Sequence, residues 1–248
     1  MSQVILITGA SRGIGAATAL LAARAGYAVA VNYSANSLAA DEVVRQIRQG
    51  GGSAITVQAD VAIEAQVLAM FEKVDAKLGR LTALVNNAGV VDQTARVDSM
   101  SVARLKRMFD INVIGTMVCA REAIKRMSTL YGGAGGAIVN VSSVAARLGA
   151  PGQYVDYAAA KGAVDVFTLG LAKEVAAEGI RVNAVRPGII DTDIHASGGL
   201  PDRARQMAPQ VPMQRAGTAD EVARSILWLL SDDSSYTTGA LLDIGGGR

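Results

Sequence analysis

The chain has 248 residues, 50% of them hydrophobic but only 4% aromatic, and a formal charge of +2 from 24 basic and 22 acidic side chains. That length and apolar content suffice for one sizeable aliphatic core and argue against a disordered or fibrous protein. The near-balanced charge, with no basic block, argues against nucleic-acid or anionic-membrane partners and for a small molecule.

One cysteine, Cys119, permits no intrachain disulfide, and no motif pairs it with the single histidine, His195, so it reads as a small buried hydrophobe. No charged leader precedes an apolar run at the N-terminus, and no uncharged stretch is long enough to span a bilayer. A soluble cytoplasmic protein without a membrane partner is expected.

Short β-branched runs at residues 4–8, 28–32, 54–58, 83–86, 137–141, 181–185 and 240–243 alternate with segments of helical length. The runs lack polar alternation, as expected of strands covered on both faces, so the pattern predicts a parallel sheet with helices on each side. Right-handed crossovers then give an α/β, doubly wound Rossmann fold in a single domain, 1–248, around a seven-stranded parallel sheet.

The first run ends in Thr8, Gly9, Ala10, Ser11, Arg12, Gly13, Ile14 and Gly15, and helix-forming residues 16–24 follow. Glycine lets the backbone turn tightly and approach a pyrophosphate, while the following helix offers unpaired N–H groups and the positive end of its dipole. Strand, glycine turn and helix in that order predict a dinucleotide site. The second run ends at Val31, Asn32, Tyr33 and Ser34, without the acid that would hold both ribose hydroxyls of NAD. With the guanidinium of Arg12 nearby in the loop, NADP is the expected cofactor and NAD a weaker alternative.

Asn112 interrupts the helical segment 101–127 with a residue that competes for backbone hydrogen bonds, which predicts a local kink. Gly132, Gly133, Gly135 and Gly136 read as a loop before the fifth strand. Ser142 and Ser143 follow that strand, at the edge where open α/β sheets place their ligands. Tyr157 and Lys161 stand four apart in the helical segment 154–178, hence on one face, where the lysine charge would favour phenolate. The proline- and glycine-bearing stretch 191–212 predicts a mobile segment beside the substrate.

Taken in order, these motifs resemble the short-chain dehydrogenase/reductase family over essentially the whole chain, among them its bacterial 3-oxoacyl thioester reductases and sugar dehydrogenases. Residues 8–15 are similar to its T-G-x-x-x-G-[IL]-G, Asp60 and Val61 to its adenine-contacting pair, and Asn86, Asn87, Ala88 and Gly89 to its N-N-A-G. Asn112, Ser143, Tyr157 and Lys161 match its active-site residues. Pro187, Gly188, Ile190 and Thr192 resemble the segment over the nicotinamide, and Thr238, Gly239 and the glycines 245–247 its C-terminal motif. Ser143 is taken over Ser142 because it holds the later position of the V-S-S run, although its spacing to Tyr157 is one residue longer than the family's.

The resemblance implies hydride transfer between NADP(H) and a carbonyl or secondary alcohol. Tyr157 would be the general acid/base, Ser143 would hold the substrate oxygen, Lys161 would tune Tyr157 and bind the nicotinamide ribose, and Asn112 would hold a relay water. Gly9, Ser11, Arg12, Gly13, Ile14, Gly15, Tyr33, Ser34, Asp60, Val61, Asn87, Ala88 and Gly89 would contact the cofactor along with Tyr157, Lys161 and the 187–192 segment. No metal is expected, and the family assembles as homo-oligomers, most often tetramers. The rival readings are a dinucleotide-binding regulatory protein without turnover, which the intact Ser, Tyr and Lys set argues against, and an epimerase or dehydratase that retains its cofactor.

Overall fold

A computed structural model describes residues 3–248, apart from the side chains of His195 and Ser197. Seven strands, β1 (Val4–Ile7), β2 (Ala28–Tyr33), β3 (Ala54–Gln58), β4 (Ala83–Asn86), β5 (Gly136–Val141), β6 (Ile180–Pro187) and β7 (Leu241–Ile244), form one sheet in the order β3-β2-β1-β4-β5-β6-β7. Every pairing is parallel. The winding direction reverses between β1 and β4, where a crevice opens at the carboxyl ends of the strands.

Among the described residues ten α-helices connect them: α1 (Gly13–Arg24), α2 (Ser37–Gln49), α3 (Glu64–Leu78), α4 (Val102–Phe109), α5 (Gly115–Met127), α6 (Ala145–Leu148), α7 (Val155–Val175), α8 (Ile194–Ser197), α9 (Arg203–Met207) and α10 (Ala219–Leu230). Alternate strand residues point to opposite faces, and both faces are buried. Ile5, Ile7, Val29, Val31 and Val139 pack in the core with Ala19, Val43 and Ile226 of α1, α2 and α10. Leu6, Ala30, Leu84 and Ile138 pack in the other with Phe71, Cys119 and Leu171 of α3, α5 and α7. Burial pushes the Cys119 thiol up to about 12, in keeping with a packing role. Among the described residues no helix is long and apolar enough to cross a membrane.

Register positions the site. Ile7 lies beside Val85, and Val85 beside Val139, so the residues that follow β1, β4 and β5 emerge together on one edge. The interruption expected at Asn112 is a π-helical turn, Asp110–Ile114, between α4 and α5. One expectation needs correction. The sixth strand, β6, runs on to Pro187, because its final residues still find partners in β7. Within residues 191–212 the Arg203–Met207 run, rich in helix formers, makes α9, and a 3₁₀ turn spans Ala208–Gln210.

Candidate active site

At the end of β1 the chain turns through Gly9 at φ +60°, where a β-carbon would stand 2.9 Å from Ala88 Cα. A β-carbon on Gly15 would stand 2.5 Å from Asn87 Nδ2 and 2.6 Å from the Gly9 carbonyl. These glycines therefore serve close packing of the loop on residues 87–88 as well as its turn.

Polar side chains then pin the loop from two sides. The Thr8 hydroxyl accepts the N–H groups of Asn87 and Ala88 at 3.0 and 2.9 Å, and Asn87 Nδ2 donates to the carbonyls of Thr8 and Gly9 at 2.8 and 3.0 Å. Asn32 Oδ1 accepts the Gly9 N–H at 3.0 Å while its Nδ2 donates to the Val57 and Ala59 carbonyls at 3.2 and 3.1 Å. The ends of β1 to β4 are thereby joined.

Helix α1 rises from this platform with no side chain capping its N-terminus and no acid in its first turn. Unanswered N–H groups, a positive dipole end and the space only glycine leaves fit a dinucleotide pyrophosphate. At the end of β2, Tyr33 is half-buried and Ser34 exposed. Asp60, at the end of β3, uses one carboxylate oxygen to accept the Ala62 N–H at 3.0 Å and so holds its own turn.

On the other side of the crevice, α7 carries Tyr157 and Lys161. The buried Asp156 pairs with Arg104 at 2.8 Å and ties the first turn of α7 to α4. Lys161 is buried; its ammonium donates to the Val141 carbonyl at 2.7 Å and lies 5.6 Å from the centre of the Tyr157 ring. Ser142 is buried too, its hydroxyl donating to the Lys161 carbonyl at 3.2 Å. Ser143 is half-buried, accepts the Ala145 N–H at 3.1 Å and bonds the Tyr157 hydroxyl. The later serine is thus the one that meets the tyrosine.

Burial pushes the Tyr157 hydroxyl up to about 12, with the Ser143 hydrogen bond pulling the other way. Burial also lowers Lys161 to about 8, opposed by the charge of Asp165. The expected lowering of Tyr157 by Lys161 is therefore corrected: desolvation dominates, and the ammonium is engaged with Val141. The phenol is protonated at neutral pH, as a proton donor to a carbonyl oxygen must be.

Asn112 lies within the π-helical turn. Its Oδ1 accepts the Val90 N–H at 3.1 Å, and its Nδ2 donates to the carbonyls of Val90 at 3.1 Å and Met108 at 2.9 Å. The side chain is committed to protein partners. It fixes the end of β4: a β-carbon on Gly89 would stand 2.8 Å from Asn112 Oδ1 and 3.5 Å from the Lys161 ammonium.

A cavity of about 450 Å³ joins the two sides, bounded by Ile14, Asn87 and Gly89 on one and by Ser143, Tyr157 and Lys161 on the other. After β6, Gly188 passes Gly245 so closely that a β-carbon would stand 2.8 Å from its Cα, and Thr192 lies 3.5 Å from where a Gly13 side chain would begin. A second cavity of about 530 Å³, beside the glycines 245–247, shares Ile189, Ile190 and Arg248 with the first but has neither the serine nor the tyrosine.

The family model described as enoyl-(acyl carrier protein) reductase matches residues 9–248. The chain belongs to the short-chain dehydrogenase/reductase family. It is 56% identical over 245 residues to the uncharacterized oxidoreductase YgfF of Escherichia coli (strain K12), covering 99% of each chain. It is 42% identical over 248 residues to a cis-4-hydroxycyclohexanecarboxylate dehydrogenase of Sinomonas cyclohexanicum, covering 99% of this chain and 96% of that one. A crystal structure of a dehydrogenase/reductase from Sinorhizobium meliloti 1021 superposes with a TM-score of 0.91 at 31% identity, over 99% of this chain and 94% of that one. This short-chain dehydrogenase/reductase is accordingly an oxidoreductase acting on CH–OH groups with a nicotinamide cofactor.

Ser143, Tyr157, Lys161, Ile14, Asn87, Gly89, Pro187, Gly188, Ile190 and Thr192 all line the first cavity. Gly9, Ser11, Arg12, Gly13, Gly15 and Ala88 belong to the adjoining loop and its support, and Asn112 lies beneath. Tyr33, Ser34, Asp60 and Val61 stand at the ends of β2 and β3, outside the cavity lining. Sequence reasoning missed the pinning roles of Thr8 and Asn32; an asparagine inside a strand, where that residue is disfavoured, was the available signal. It also missed Gln153, Tyr154 and Arg203 on the cavity wall, which tertiary packing alone brings together.

Proposed function

We propose that the chain is an NADP(H)-dependent enzyme that interconverts a carbonyl compound and a secondary alcohol, with Tyr157 as general acid and base. One observation carries this reading: Tyr157, bonded to Ser143 and near Lys161, shares a cavity with a glycine loop suited to a dinucleotide. When bound, the nicotinamide supplies the hydride in reduction and accepts it in oxidation.

The backbone of Gly9, Gly13, Ile14 and Gly15 would hold the pyrophosphate, Asp60 and Val61 the adenine, and Asn87, Ala88, Gly89 and the 187–192 segment the nicotinamide half. Ser143 orients the substrate oxygen, and Tyr157 gives that oxygen its proton or takes it back. Lys161 holds the ribose and places positive charge near the phenol as proton transfer proceeds. Asn112 acts as a positioning residue for β4. The chain works as one domain, residues 191–212 are its moving part, and exposed Ile114, Met117, Val166 and Leu169 support a homotetramer.

NADP over NAD rests on the missing acid at the end of β2 and on Ser11, Arg12, Tyr33 and Ser34 around the expected 2′-phosphate. The test is a panel of ketones, aldoses, polyols and acyl thioesters followed at the nicotinamide absorbance, with kcat/KM measured for both cofactors. Wild type should favour NADP, Arg12→Ala should weaken NADP selectively, and Tyr33→Asp should reverse the preference. Tyr157→Phe should lower kcat by about 10²- to 10⁴-fold with cofactor affinity unchanged. Wild-type turnover by Tyr157→Phe would sink the acid/base assignment, and a wild type favouring NAD would sink the phosphate assignment.

A further inference from the structure

We infer that the substrate carries a carboxylate and that Arg203 selects it, an inference that rests on reading the cavity as the site of carbonyl chemistry. Among the described residues, the charged side chains lining that cavity are Lys161, Arg203 and Arg248, with no Asp or Glu side chain. Lys161 is engaged beside Tyr157. Arg203 comes from α9, on the opposite wall.

Its guanidinium stacks 5.2 Å from the centre of the Tyr154 ring and donates one N–H to Gln153 Oε1 at 2.7 Å. The ring takes a face and Gln153 one of the five N–H donors, so the plane is fixed while an edge with parallel donors is left over. That is the geometry a carboxylate meets bidentately.

Four other half-buried arginines are answered within the protein. Arg104 pairs with Asp156, Arg126 with Asp75 and Glu122, and Arg186 with Asp165. Arg181 donates to the carbonyls of Leu229, Leu230 and Ser231. Arg203 and Arg248, both half-buried, meet no carboxylate among the described residues, and of the two it is Arg203 that a ring face and a side-chain amide hold in place. A guanidinium held rigid, half out of water and unneutralised in a ligand cavity is a site for an anion supplied from outside.

Its place suits a substrate with two polar ends. Gln153 and Tyr154 precede Tyr157 by about one helical turn, so Arg203 sits at the same helix end as the proton donor. The remaining wall includes Val91, Leu148, Pro151, Ile189 and Ile194, which suit the hydrocarbon skeleton between a carbonyl at Tyr157 and a carboxylate at Arg203. The α8–α9 segment closes on that wall: a β-carbon on Gly198 would stand 3.1 Å from Val91 and 3.2 Å from the Tyr154 hydroxyl.

The test compares isosteric anionic and neutral probes on the NADP-loaded protein. Calorimetry with cyclohexanecarboxylate and cyclohexanecarboxamide reads binding without turnover, and 4-oxocyclohexanecarboxylate and its carboxamide read kcat/KM with NADPH. Wild type should prefer each carboxylate by about tenfold or more. Arg203→Gln should bring both ratios close to one, and Arg203→Lys, which keeps charge but not the fork, should retain part of the preference. Tyr157→Phe should keep the binding preference while losing reduction. Equal binding of carboxylate and carboxamide by wild type, or a preference that survives Arg203→Gln, would overturn the inference. A binding preference with neither ketone reduced would instead overturn the carbonyl reading and leave the carboxylate site standing.

Discussion

The two sides of the crevice are stabilised in opposite ways. On the glycine-loop side, Thr8, Asn32 and Asn87 reach into the strand ends, and the hydrogen-bonding groups they bring are answered by backbone partners at 2.8–3.2 Å. On the α7 side the chain carries uncompensated features. Lys161 is buried with its ammonium on the Val141 carbonyl, burial raises the pKa of the Tyr157 phenol, and Ala150 holds φ +44° although it has a β-carbon. Satisfied polar contacts make a platform for a cofactor; groups held away from their preferred state make a reaction centre.

Legibility followed a different division, between contacts local in sequence and contacts that only the fold creates. The strand, glycine turn and helix of the first crossover are local in sequence, and so are the Tyr157–Lys161 pair and the break at Asn112. All of these were readable because a backbone rule or a helical spacing produces them. The protonation of Tyr157 was not, since it depends on how much surrounding protein excludes water. Nor was the commitment of Asn112 to Val90, which lies 22 residues away in sequence. Arg203 and Tyr154 meet only because α9 folds back over α7.

The largest effect expected from the contrast between the two sides is at Lys161. Its folded pKa, lowered to about 8 from 10.5, means the folded state binds fewer protons than the unfolded state between those values. Stability contributed by this group therefore rises with pH through that window, and the cost of burying the ammonium is fully felt below pH 8. Denaturant unfolding without added cofactor should show wild type gaining roughly 2–3 kcal/mol relative to Lys161→Met between pH 7 and 10. A pH-independent difference would mean that the α7 side carries no such cost, and the contrast would fail there.

The glycine-loop side is probed at Asn32, which is buried and answers three backbone groups. Asn32→Ala leaves the Gly9 N–H and two strand-end carbonyls without this partner, which should cost about 2 kcal/mol. Cofactor affinity should fall with it, because the loop loses its anchor on β2. Asn32→Asp keeps the acceptor for Gly9 but faces the Val57 and Ala59 carbonyls, so it should be no better than alanine. The readouts are denaturant midpoints and the cofactor Kd from nicotinamide fluorescence; a stable alanine variant with unchanged Kd would show that the platform does not depend on this residue.

The smallest effect lies in the turn between α6 and α7, where Gly149 and Ala150 follow one another at φ +73° and +44°. A β-carbon on Gly149 would meet nothing within 4 Å, so Gly149→Ala tests backbone conformation alone and should destabilise by about 1 kcal/mol. Ala150→Gly should do the reverse: it removes the left-handed penalty, about 1–2 kcal/mol, against the greater chain entropy glycine loses on folding, about 0.5–1 kcal/mol, for a net gain of about 0.5 kcal/mol. On the glycine-loop side the corresponding change, Gly9→Ala, adds a clash with Ala88 to the same strain. Unfolding midpoints of the two α6–α7 variants decide the matter. If Ala150→Gly destabilises, the left-handed alanine is no burden, and the α7 side holds its unusual backbone at no cost to the fold.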